Sequence, residues 1–404
     1  MIGGIVLIIL LYIITLPLLN RFKAKHSWLD LSLMKKLYWY HTLFALVYYI
    51  TVMSAPSDSV AYYNNTALGY SDWFSSYGTS TVFIHFFAYP FIKYLFFSYE
   101  MMMLLFAWIG YWGFIYFYIF IKENIQHKHY WKGWDLTTLI LFLPNMHYWT
   151  ASLGKGSVIF LGVALTVYGL SRLTTRKTAL ILGLLLVYHV RPHIFLVMSV
   201  AIILGLFTGR QKIPTYQKFL VFAGSALAVM FLYSKILLFA GLDSENLVGS
   251  FDQTSAKRAS DLAKSGSGLD ISNYPFVFKL FTFWYRPLFF DSRSIPGLMV
   301  SLENLFYIIL TGQLFNKKIF KFVKSGSALV KASLVVFLGT SVAMCSTLSN
   351  LGLIIRQKTM IMYFLIFIIL AFMDYKKEIK IARRQRMMAQ NQDSAPLTQI
   401  PSVI

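Results

Sequence analysis

The chain alternates long apolar runs with short basic clusters. Runs at 2–20, 35–54, 99–121, 136–153, 157–173, 178–190, 193–208, 217–241, 296–315, 329–349 and 359–373 are apolar almost throughout. Crossing the hydrocarbon of a bilayer takes about 20 apolar residues, somewhat fewer where the membrane thins. The pattern predicts an all-α fold: a polytopic transmembrane helix bundle of about eleven spans. The first run lacks a basic leader and a small-residue cleavage site, which predicts a retained span.

Two further runs fit less well. STVFIHFFAYPFIKYLFFSY (80–99) is apolar enough to cross, but Pro90 breaks it and His85 and Lys93 interrupt it. It predicts a broken amphipathic helix over 79–97 lying on the outer surface. FVFKLFTFWYRPLFFDSRS (276–294) predicts a second surface element, with Trp284 and Tyr285 suited to the membrane interface.

Composition excludes a water-soluble domain. Hydrophobic residues make up 57% of the 404 and charged residues 13%, with mean hydropathy +0.60, whereas soluble domains carry about 25% charged residues. The net charge of +21 resembles a nucleic-acid signal until its placement is considered. Most Lys and Arg lie at 21–36, 122–132, 172–177, 210–218, 317–331 and 376–386, between the apolar runs. Eleven spans with the N-terminus outside and the C-terminus inside put all six clusters in the cytoplasm, as positive-inside bias requires. The charge therefore speaks of membrane orientation, and no nucleic-acid partner is expected. The transmembrane domain covers 1–375, with outer loops 55–98 and 242–295; 376–404 is a basic, partly disordered cytoplasmic tail. A lone cysteine, Cys345, allows no internal disulfide.

Residues 178–208 hold LLLVYHVRPHIFLVM in their middle. As one helix the segment would be about 45 Å long, too long for a ~30 Å core. It splits instead into two spans at His189–His193, with Pro192 ending the first helix. An arginine near the hydrocarbon costs roughly 2.5–3.5 kcal/mol on insertion scales, so Arg191 calls for a function.

The outer side carries few ionisable groups. These are Asp58 and Asp72 in the first loop, Lys155 in SLGKGS, Arg191 and His193 at the proline turn, Arg286, Asp291 and Arg293 in the second surface element, and Arg356 and Lys358 before the last span. Outer cations run against the orientation bias. Guanidinium groups match phosphate oxygens in bidentate geometry, and an outer cationic pocket at headgroup depth suits a polyprenyl phosphate or pyrophosphate. Asp58 is placed to take a proton from an attacking sugar hydroxyl, although SDSV also has the chemistry of a helix cap. GKGS lacks Walker spacing and fits an anion-binding turn at a helix N-terminus. His193 either donates to the anion or caps the following helix.

Other residues have plainer expectations. Lys93, Lys235, Lys279 and Lys358 are expected to touch lipid phosphates. Glu303 is either a proton-relay group or a snorkelling side chain. HKHYWKGW (127–134) places two histidines close together but reads better as an interface segment than as a metal site. The 242–275 loop predicts a short helix at 255–264, either a lid or a passive loop.

The stretch DSVAYY in an early outer loop, a surface helix containing YP and many spans with outer arginines resemble bacterial polysaccharide polymerases of the Wzy and EpsG kind. These belong to the GT-C-like group of polyprenol-dependent membrane glycosyltransferases. The resemblance covers residues 30–375 and implies an inner-membrane glycosyltransferase that needs no cofactor or metal. Asp58 then takes the acidic first-loop position, and Arg191, Arg286 and Arg356 take the outer basic positions that engage lipid-linked pyrophosphate. Lys155, His193, Arg293 and Tyr62 join them as substrate-binding candidates. The implied partners are a polyprenyl-linked oligosaccharide and membrane lipid, with a chain-length regulator left open. The central outer loop is modest beside the large one common in Wzy-type proteins. Two alternatives remain: a GT-C transferase adding one monosaccharide from a polyprenyl phosphate, and a transporter or flippase of lipid-linked glycan.

The span order makes one direct prediction. A reporter enzyme fused after Lys177 should read as cytoplasmic; activity on the far side would overturn the topology.

Overall fold

The protein is described from a computed structural model, over residues 2–54, 57–210, 214–240, 246–264, 268–271, 273–292 and 294–393. Helices α1 (Ile2–Lys25) and α2 (Leu31–Ser54) are followed by the shorter α3 (Asp58–Leu68) and α4 (Thr81–Lys93), then by α5 (Tyr99–Asn124). A tight antiparallel hairpin, β1 (Tyr130–Trp131) with β2 (Trp134–Asp135), leads into α6 (Leu136–Leu141) and α7 (Pro144–Thr150). Next come α8 (Lys155–Ser171), α9 (Lys177–Val190), α10 (Pro192–Thr208), α11 (Thr215–Ala240), α12 (Leu247–Ala263) and α13 (Phe276–Tyr285). The chain closes with α14 (Ile295–Thr311), α15 (Lys318–Lys324), α16 (Ala328–Cys345) and α17 (Leu351–Asp393). The fold is all-α apart from the hairpin.

Among the described residues five helices are long and apolar enough to cross a membrane: α1, α5, α14 with its short 3-10 extension, α16 and α17; α2 and α3 together make a sixth if counted as one bent span. Helices α8, α9, α10, α13 and the first part of α11 are apolar but shorter. Helices α1, α2, α11 and α14 turn Ile5, Ile9, Leu46, Ile50, Phe219 and Leu302 outward into the open. Outward faces this apolar suit lipid, not water. The chain is a membrane protein.

Two expected elements differ. The 136–153 run is not one span. Asp135 caps α6 through the Thr138 amide at 3.2 Å, and Pro144 then opens α7 at the first helical position, where a missing N–H is harmless. Conversely, α4 is not broken at Pro90, which lies inside it. The proline leaves the Phe86 carbonyl without its helical donor, and the indole Nε1 of Trp73 supplies one at 2.9 Å. Helix α12 is also longer than the predicted 255–264, and α17 carries helix through the basic stretch as far as Asp393.

The core is built on α5 and on the 359–373 stretch of α17, both apolar on every side, as helical segments buried all round must be. Phe117 stacks on Tyr363 with ring centroids 4.3 Å apart, and Phe120 meets Phe367 at 4.6 Å. Small residues bring the flanking helices close, as in membrane bundles generally. A Cβ on Gly183 of α9 would sit 2.6 Å from the Thr166 amide of α8, and one on Gly205 of α10 would sit 2.5 Å from the carbonyl of Ala328, the first residue of α16.

Several loop clusters meet at one end of the bundle. Glu123 at the foot of α5 takes both terminal nitrogens of Arg176 at 2.7 Å, with His26 and Arg172 beside it. Asp374 of α17 accepts the Gln126 and His127 amides. At the opposite ends of α8, α9 and α17 lie Lys155, Arg191 and Arg356.

Trp73→Phe keeps the stacking on Phe86 but removes the indole donor. It should cost about 1–3 kcal/mol of stability by stranding the Phe86 carbonyl, seen as a lower unfolding temperature in detergent; an unchanged temperature would mean the carbonyl has another donor.

Candidate functional site

Helix α17 begins with a turn that faces three ways. Successive helical residues point about 100° apart, so Arg356, Gln357 and Lys358 each meet a different part of the bundle. Arg356 Nη1 lies 2.5 Å from Asp58 Oδ2, and its guanidinium stands over the Trp149 ring of α7 at 5.8 Å. Gln357 Oε1 accepts from Arg191 Nη1 at 2.7 Å. Lys358 turns away into the bundle.

Helix α3 presents Asp58, Tyr62 and Thr66 at four-residue spacing, hence on one face. The capping question is settled by Ser57, which is the N-cap and whose hydroxyl takes the Ser59 amide. The Asp58 carboxylate is left for Arg356. One turn on, Tyr62 is buried near Arg356 and Asp58, and burial pushes its pKa up. Thr66 Oγ1 pairs with His85 Nδ1 at 2.8 Å.

Lys155 opens α8 immediately after Gly154, whose φ of +154° and 3.0 Å approach to the Tyr62 ring leave no comfortable room for a side chain. Its Nζ donates to Ser80 Oγ at 2.8 Å. Ser80 is itself held at φ +61°, a costly conformation for a residue with a Cβ, and its amide donates to the His189 carbonyl at 2.6 Å. Lys155 feels the charges of Arg191, Arg356 and Asp58. These four groups, from α3, α8, the α9–α10 turn and α17, form one cluster.

Arg191 sits between α9 and α10, in the extended conformation that a following proline imposes. Its backbone carbonyl receives the Ile194 and Phe195 amides, so the turn is locked. Its guanidinium has a neutral partner in Gln357 and a buried Nε with no acceptor. Among the described residues no carboxylate lies within ion-pair distance of it. The neighbouring charge is another cation, Arg356. His193, partly buried, lies by Arg191, Lys155 and Arg258 of α12. Helix α12 is also tied to the α16–α17 junction, where Ser349 Oγ donates to the Ala259 carbonyl.

The cluster therefore gathers Asp58, Tyr62, Lys155, Arg191, His193 and Arg356. Arg286 is placed differently. Its guanidinium grips Asp291, with Nε 3.0 and 3.1 Å from the two carboxylate oxygens, and this pairing raises its pKa. Asp291 also takes the Leu288 amide at 2.7 Å, so the pair shapes its own turn. Arg293 and the Lys235 side chain lie outside the described residues. Asp72 caps a short turn through the Ser75 amide. His129 turns to Asp374, and no group of three or more metal-binding side chains occurs among the described residues.

Lys358 is the main correction. It was expected against lipid phosphates, yet it is only 1% exposed. Starting α17 at Leu351 puts it two turns inside the helix. Its Nζ donates to Asn304 Oδ1 at 2.5 Å and to the Arg286 carbonyl at 3.2 Å. Glu303, the neighbour of Asn304 on α14, receives the Asn145 amide at 2.9 Å and the Tyr307 hydroxyl at 2.7 Å. Glu303 is thus buried among hydrogen bonds, not snorkelling. Sequence reasoning also passed over Gln357, Trp149, Ser80 and Arg258. Of these, only Gln357 had a local signal, as the residue between two outer cations.

Leaving a buried polar group without its partner costs about 1–3 kcal/mol. Lys358→Met, which strands the Asn304 side-chain oxygen and the Arg286 carbonyl, should destabilise by that order in detergent unfolding. An unchanged unfolding temperature would mean that these oxygens have other donors.

No family model matches this chain, and no curated protein and no solved structure matches it either.

Proposed function

We propose that the chain transfers or polymerises glycan carried on a polyprenyl (pyro)phosphate, at the outer face of the cytoplasmic membrane. One observation carries this reading: the Arg191 guanidinium is enclosed without a carboxylate, next to two further cations, Arg356 and Lys155. A cation held that way is incomplete, and an anion is what completes it. Guanidinium forks suit phosphate oxygens, and the setting in a membrane bundle favours a lipid-borne phosphate. The cluster lies at the ends of α8 and α9 opposite the basic Arg172–Lys177 segment, and positive-inside bias, which draws that segment to the cytoplasm, gives the cluster the outer face.

In the reaction an acceptor hydroxyl oxygen forms a bond to the anomeric carbon of the donor sugar. The bond from that carbon to the phosphate oxygen breaks, and the lipid pyrophosphate leaves with the electron pair. Asp58 takes the hydroxyl proton. Charge accumulating on the leaving group is met by Arg191, Arg356 and Lys155, already oriented by Gln357, Trp149 and Ser80. Such preorganised compensation is usually the largest catalytic contribution.

Proteoliposomes given a lipid-linked oligosaccharide test the reading. Glycan ladders support polymerisation, a single-sugar mass increment the monosaccharide transferase, and translocation without a new glycosidic bond the transporter. Arg191→Ala should lower activity by at least about a hundredfold, the loss typical of removing one charge-stabilising donor. Arg191→Lys, which keeps the charge but not the fork, should lie between it and the parent. Full activity in Arg191→Ala would sink the proposal.

A further inference from the structure

The Asp58–Arg356 ion pair is lopsided. The Arg356 side chain is 20% exposed, whereas that of Asp58 is 59% exposed. The carboxylate lies over the guanidinium from the solvent side and touches it through one oxygen, Oδ2 on Nη1. Among the described residues Arg191 pairs with Gln357 and Lys155 with the Ser80 hydroxyl, and neither has a carboxylate within ion-pair distance. Of the three cations, Arg356 is the one that a carboxylate holds, and that carboxylate is the more exposed member of its pair.

An ion pair with one partner in solvent is weak, since water competes for it and salt screens it. A ligand anion approaching from the same side meets Arg356 and also the neighbouring Arg191 and Lys155, with which Asp58 makes no ion pair. The exchange therefore favours the ligand. Asp58 is the first residue of α3, next to its Ser57 cap, so the carboxylate can swing off without unravelling the helix.

We propose that Asp58 is a tethered competitor for the anion site: its carboxylate holds Arg356 until a phosphate-bearing ligand displaces it. This rests on the anion-binding reading above and adds an order of events to it. The carboxylate that is to accept the acceptor's proton is released from its ion pair only once the donor phosphate is seated. The base is thereby masked in the absence of donor.

The test uses the purified full chain in detergent at one fixed ionic strength, with inorganic pyrophosphate as the probe. Asp58→Asn should bind pyrophosphate about two- to fivefold more tightly than the parent, the size expected on removing an exposed competing pair. Unchanged or weaker binding would show that Asp58 supports the site and overturn the displacement. A second measurement needs no variant: pyrophosphate should speed hydrogen exchange at the first turn of α3 in the parent, and slower or unaltered exchange there overturns it as well. Arg191→Gln separates the two readings. If the parent binds, Arg191→Gln does not, and Asp58→Asn gains nothing, the anion site stands and the displacement falls. If the parent fails to bind, both fall.

Discussion

The organisation of the site rests on the start of α17, where Arg356, Gln357 and Lys358 leave one helical turn in three directions. Each direction joins α17 to elements far away in the chain: α3 through Asp58, the α9–α10 turn through Arg191, and the α13–α14 region through Asn304. A helix makes this possible because consecutive side chains diverge by about 100° on a rigid backbone. Three loops that would otherwise be set by their own weak contacts share one reference. The turn is rigid because the helix below it is the core of the molecule.

That core explains how so polar a turn is tolerated. Helix α5 and the 359–373 stretch of α17 are apolar all round and pack ring on ring, leaving the peripheral helices to face lipid. Polar atoms in such a setting must find partners, and most do. Glu303 has a backbone amide and a tyrosine hydroxyl, and Lys358 has an amide oxygen and carbonyls. A few buried side-chain atoms among the described residues have no partner, including Trp112 Nε1 on α5 and Tyr363 Oη on α17. The Arg191 Nε is the one of these that belongs to a guanidinium, and the proposed anion is what would complete it.

The sequence revealed the parts better than their relations. Apolar runs located most helices, and the proline turn at Arg191 was legible because four unlike residues interrupt an apolar stretch. Proline was over-read at Pro90, where a tryptophan 17 residues earlier repairs the helix, and under-read at Pro144, which divides a run that looks continuous. Pairings were beyond reach. Asp58 and Arg356 are 298 positions apart, and no local pattern states that they touch. Arg286 and Lys358 were grouped by side of the membrane alone. One proved to serve the turn it belongs to, through Asp291, and the other lies inside the bundle, because a shared side says nothing about which way a side chain faces.

Helix α17 has a consequence of a mechanical kind. It runs 43 residues, about 64 Å, with no proline and no glycine after Gly352. Its far portion is pinned where Asp374 holds the amides of Gln126 and His127, and beyond that it carries a dense basic stretch. A rod without a hinge does not bend locally to absorb a load; it slides or rolls as a unit. Any force applied to that basic stretch is delivered to the Arg356 turn at the other end, undiminished by distance.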